Sequence, residues 1–135
     1  MWYNLYQINN CGDNMKKQIK GYIKNLNTNE KTDFQTNAIF DNNTIKYVIN
    51  NEKTNINILS TKELILERKN EEIEQKIIFR DGKKTESIYK MKENNINLII
   101  QIETKKITIN DEKIIINYKI IDSNDKYEYY IEKSG

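Results

Sequence analysis

Apolar residues in this chain recur at every second position. The clearest run is Ile96, Leu98, Ile100 and Ile102, followed by Ile114, Ile116, Tyr118 and Ile120. Ile73, Ile77 and Phe79 keep the same phase, as do Ile56 and Ile58. A period of two buries one face of a strand and wets the other. Isoleucine, β-branched and stiff at its first side-chain torsion, suits a pleated strand better than a helix. The runs are separated by clusters of Asn and Asp: Asn25–Asn29, Asp41–Asn43, Asn50-Asn51, Asp81-Gly82, Asn94-Asn95, Asn110-Asp111 and Asp122–Asp125. With no proline and four glycines in the chain, these clusters carry the turns. Asp81-Gly82 is a strong hairpin signal. The spacing predicts about ten strands, one every roughly 8–12 residues.

A meander of that length protects its edges best by closing on itself. The predicted fold is therefore all-β, an antiparallel up-and-down barrel of about 8–10 strands over residues 15–132. No helix longer than about three turns is expected after residue 15. At 135 residues the chain is read as one domain, with 1–14 as an N-terminal extension. There Trp2, Leu5 and Tyr6 share a helical face, so a short helical turn packed on the barrel and an extra edge strand are both allowed.

From Leu64 onward the sequence resembles the YwiB-like proteins, a bacterial family of unknown function known mainly from Gram-positive bacteria. Leu64-Ile65-Leu66-Glu67-Arg68 looks like the family's apolar strand ending in Arg, and Phe79 with Asp81-Gly82 like its aromatic-then-turn segment. Ser87-Ile88-Tyr89, Ile100–Thr104 and Ile114–Ile120 resemble the strands that follow. Upstream, Tyr47 and the Thr54–Ile58 strand match more loosely, so the likeness spans about residues 16–132. The chain departs from the pattern at Asn70, where the family has Gly, and at Met91–Asn94, where it has a Thr-Pro-x-Gly-like turn. The resemblance implies a lipocalin-like (calycin) barrel and no assigned activity.

Composition narrows the function classes. Twenty-two basic residues face 20 acidic ones, and the lysines sit beside acids along the whole chain, so no basic stripe is visible. Nucleic-acid binding is not expected. The abundance of Asn, Ile and Lys is what an A/T-rich genome produces, which makes the two arginines, Arg68 and Arg80, more informative than any lysine. A lone Cys11, no signal-like N-terminus and no long aliphatic run together predict a cytoplasmic protein that does not insert in membranes.

Histidine is absent, which removes the commonest general base and metal ligand. One cysteine cannot build a zinc site, and the glycines form no phosphate loop. The acidic runs Glu71-Glu72-Glu74 and Asp111-Glu112 flank turns and read as solvated loops. No catalytic residue, metal or cofactor is assigned, and the chain is read as a non-catalytic protein.

One constellation remains. Arg68 is in phase with Leu64 and Leu66, Tyr89 with Thr85 and Ser87, Thr104 with Ile100 and Ile102, and Tyr118 with Ile114 and Ile116. A closed barrel would turn all four inward. An inward arginine needs an answer, because an isolated buried charge is costly. It either meets the head of a small anionic or amphipathic ligand, or pairs with an internal acid such as Glu103 or Glu52 inside a tyrosine network. The first makes the protein a small-molecule binder. The second makes it a scaffold or interaction domain with a filled barrel, its contact surface an edge strand or the Tyr127, Tyr129, Tyr130 segment.

Overall fold

The structure, a computed structural model, describes residues 15–133. Ten strands follow one another: β1 (Met15–Asn25), β2 (Lys31–Asp41), β3 (Thr44–Ile49), β4 (Glu52–Ser60), β5 (Glu63–Lys69), β6 (Ile73–Arg80), β7 (Lys84–Met91), β8 (Ile96–Ile109), β9 (Lys113–Ile120) and β10 (Lys126–Lys133). Each pairs antiparallel with its sequence neighbours, and β1 pairs with β10 through Gly21↔Ile131 and Tyr22↔Tyr130. The sheet is thus a closed up-and-down barrel, with no helix among the described residues. Every described strand has two neighbours, so the edge-strand contact surface reduces to stretches that overrun them: residues 31–37 of β2 pair only with β1, and residues 96–100 of β8 only with β7. Trp2, Leu5 and Tyr6 lie outside the described residues.

Asparagine makes the turns by two different means. Asn29, Asn42, Asn50, Asn51, Asn95 and Asn124 adopt positive φ, between 51° and 66°. Two consecutive left-handed residues, Asn50 and Asn51, join β3 to β4, a connection whose twist matches that of its strands. Asn25, Asn70 and Asn110 work through their side chains instead. The Asn70 Oδ1 accepts from the amides of Glu72 (2.8 Å) and Ile73 (2.9 Å), and the Asn110 Oδ1 from Glu112 and Lys113. Asn70 is therefore a side-chain turn former and does not stand in for glycine in a left-handed turn. The β4–β5 turn escaped the Asn/Asp pattern: it is built on Thr61 and Lys62, with the Ser60 Oγ accepting from the Lys62 amide.

The inner face holds Ile19, Ala38, Phe40, Ile45, Ile56, Ile58, Leu64, Leu66, Ile77, Phe79, Ile102, Ile114, Ile116 and Ile131, all buried. A bulge between Thr104 and Lys106 shifts the phase of β8, so that Ile107 and Ile109 face inward after Thr104. The turns at 26–30, 50–51, 70–72, 92–95 and 121–125 gather at one rim of the meander. At that rim the inward phase of β8 runs out into solvent: Ile96 is 43 % and Leu98 46 % exposed, whereas Ile102 is 2 % exposed.

Candidate functional site

Cross-strand register builds one inner row near that rim. Tyr47 (β3) stands opposite Thr54 (β4), Thr54 opposite Arg68 (β5), Arg68 opposite Gln75 (β6), Gln75 opposite Tyr89 (β7) and Tyr89 opposite Leu98 (β8). Because the sheet is closed, β9 and β10 face β5 across the lumen, and the long Arg68 side chain spans the gap. Its guanidinium carbon lies 5.6 Å from the centroid of the Tyr129 ring, within cation–π range. The Tyr129 and Tyr47 hydroxyls are hydrogen-bonded to each other, joining β3 to β10 through the interior. Phe34 stacks on Tyr47 at 5.6 Å and meets the edge of Tyr129 at 6.3 Å. Tyr118 is held between Phe79 (5.0 Å) and Tyr127 (5.4 Å).

Burial works against the Arg68 charge, but Tyr129, Tyr118, Tyr47 and Glu52 outweigh it and hold its pKa above the usual arginine value. No ion pair among the described residues includes Arg68. Of the two acids considered for it, Glu52 shares the inner face and accepts from the Asn70 Nδ2 at 3.4 Å. Glu103 points outward to Lys105 (3.3 Å) and Lys119 (3.7 Å), as its odd phase between Ile102 and Thr104 requires.

All four residues singled out from the sequence have inward phase, but they are not equally close. Arg68 and Tyr118 interact across the lumen. Thr104 is fully buried opposite Tyr118, its hydroxyl without a hydrogen-bond partner among the described residues. Tyr89 is half-buried and two strands from Arg68, with Gln75 between them. Sequence reasoning missed Tyr47, Thr54 and Tyr129, although each keeps phase with buried neighbours, Ile45, Ile56 and Ile131 respectively. The tyrosines of β10 do not share a surface: Tyr129 and Tyr127 turn inward, while Tyr130 turns outward and stacks on Tyr22 at 5.0 Å. A strand cannot present three near-consecutive side chains on one face.

Burial raises the pKa of all three lumen phenols, most of all Tyr129. They keep their protons far above neutral pH and serve as hydrogen-bonding partners, not as bases. Tyr118 is pushed up to about 12 by burial, with Tyr129 and Tyr127 adding to the effect and Arg68 opposing it. A folded-state pKa above the unfolded value of about 10 means the native protein holds this proton more tightly. Its contribution is complete below pH 10 and is lost as pH rises toward 12, by about 2–3 kcal/mol for a shift of this size. Urea unfolding measured at several pH values from 9 to 12 should show this decline, and Tyr118→Phe should flatten it. An unchanged slope in the variant would refute the assignment.

Comparison with known proteins adds the fold and little else. The chain superposes on the crystal structure of the YwiB protein from Bacillus subtilis with a TM-score of 0.62, covering 90 % of this chain and 92 % of that one at 20 % sequence identity. No family model matches the chain, and no curated protein matches it significantly.

Proposed function

We propose that this protein binds a small anionic amphiphile at the rim of its barrel, in the manner of a lipocalin-like (calycin) fold, and does no chemistry on it. The observation that carries this reading is the pairing of Arg68 with uncovered apolar surface on one inner row. Leu98 and Ile96 have the phase of core residues yet are nearly half exposed, on a stretch of β8 that has no β9 partner, so the described side chains leave this end of the wall uncovered. Along the same row stand the Tyr89 phenol next to Leu98, then the Gln75 amide and, three strands from Leu98, a largely buried guanidinium that no carboxylate among the described residues neutralises. A carboxylate or phosphate head on Arg68 and a tail on Leu98 and Ile96 would satisfy both ends. Thr104 and Tyr118 belong to the lumen polar network behind Arg68 in this reading, and Tyr89 to the wall. A cytoplasmic location suits the composition.

The test is a titration with a fluorescent long-chain carboxylate. It should bind in a way that the unlabelled acid competes and the alcohol of equal chain length does not. Leu98→Lys should weaken binding about 10–100-fold, the worth of one buried leucine, while leaving the unfolding midpoint of the free protein unchanged. Equal affinity for acid and alcohol would overturn the anionic specificity. Destabilisation by Leu98→Lys would mean that Leu98 is core after all, as the filled-barrel reading requires.

A further inference from the structure

The outer face carries a second feature, unrelated to the lumen. Register lines up two outward rows across the strands. One runs Lys16, Ile39, Lys46, Asn55, Glu67, Lys76, Ile88, and the other Val48, Lys53, Lys69, Glu74, Lys90, Asn97. Between them lies an open groove of about 960 Å³. Tyr47, Thr54, Arg68 and Gln75, whose side chains have inward phase, also border it. Six lysines and two glutamates line this groove, against 22 basic and 20 acidic residues in the whole chain. The only ion pair among the described residues between lining side chains joins Lys69 to Glu74 at 3.6 Å. Ile39, Val48 and Ile88 stand exposed among the lysines.

We propose that this groove docks an amphipathic helix of a partner protein, acidic on its flanks and aliphatic along the face it buries. Charge complementarity selects an acidic occupant. The exposed apolar residues are aliphatic, and the one aromatic among the described lining residues, Tyr47, is buried with inward phase, whereas single-stranded nucleic acid is held largely by stacking on exposed aromatic rings. A concave surface fits a rod better than a planar membrane. A second copy would bring one lysine-rich face against another in a two-fold contact, which like charge disfavours. β4 to β7 pair on both sides where they pass beneath the groove, so an extended segment would find no ladder to join there. A helix satisfies its own backbone and needs only side-chain contacts, the helix-in-groove mode.

The experiment is fluorescence anisotropy of a labelled helical peptide with leucines on one face and glutamates on the others, titrated with the full chain. Binding should weaken at least about tenfold as salt rises, and by at least as much in the triple variant Lys46→Glu, Lys53→Glu, Lys76→Glu. Val48→Asp should weaken it as well, whereas Leu59→Asp, exposed outside the groove, should not. Far-ultraviolet circular dichroism of each variant checks that the barrel persists. No binding of the acidic peptide, or equal binding by the triple variant, overturns the proposal. So does tighter, lysine-dependent binding of a single-stranded oligonucleotide or of phosphatidylglycerol vesicles, or a dimer in sedimentation that the triple variant abolishes.

Discussion

Arg68→Met is expected to weaken binding of an anionic amphiphile by about 30–1,000-fold while changing the stability of the ligand-free protein by no more than about 1–2 kcal/mol. Methionine keeps much of the stem volume and removes the charge. Two effects oppose each other in the free protein. The cation over the Tyr129 ring is lost, and with it the attraction of Glu52. The cost of holding a guanidinium away from water is lost too. Because no carboxylate among the described residues lies within ion-pair distance of Arg68, the substitution strands no buried acid. With a ligand bound, the balance changes, since the anionic head keeps its desolvation and loses its partner. Denaturant unfolding and probe titration of the same variant separate these outcomes. A stability loss of about 3–5 kcal/mol in the free protein would reveal a structural ion pair and would favour the filled-barrel reading.

Gly21→Ala is expected to destabilise the barrel by about 3 kcal/mol or more, at the upper end of what a single added carbon costs in a packed interior. Gly21 lies on β1 at the seam where the first and last strands meet. A Cβ there would stand 2.1 Å from the Tyr130 carbonyl oxygen and 2.7 Å from the tip of the Phe34 ring. Phe34 in turn packs against Tyr47 and Tyr129, so it has little room to withdraw. The oxygen belongs to the closing strand itself, so relief requires β10 to move away from β1. Gly82→Ala is the natural comparison. Gly82 has open space around its Cβ position and costs only the strain of its left-handed φ of 72°, about 1–2 kcal/mol. Equal unfolding midpoints for the two variants would show that the seam is looser than its geometry implies.

Read alone, the residues determined a good deal. Strict alternation of isoleucine with polar residues selects strands, because only period two separates the faces so cleanly. Asn and Asp clusters placed most of the turns, since these side chains tolerate left-handed backbone or cap it themselves. Phase placed Arg68, Tyr89, Thr104 and Tyr118 on the inner face, and the same reasoning applied to residue 103 would have turned Glu103 outward. Tyr127 and Tyr129 were equally legible as inward partners and Tyr130 as an outward one. What phase cannot supply is which faces meet across a lumen. That Arg68 on β5 reaches Tyr129 on β10, and that its charge is felt by Tyr118 on β9, follows from closure of the ten strands, a property of no local segment. The β8 bulge shows in the sequence only as a switch of the inward isoleucines from even positions up to Ile102 to odd ones from Ile107, and the polar residues between leave its place open. The lysine-lined groove is the plainest case. Lys16, Lys46 and Lys76 are thirty residues apart in sequence and each sits among unrelated neighbours, so no local window contains a stripe. Hydrogen-bond register across β1 to β7 sets them in one row, because it is register that decides which distant residues stand side by side.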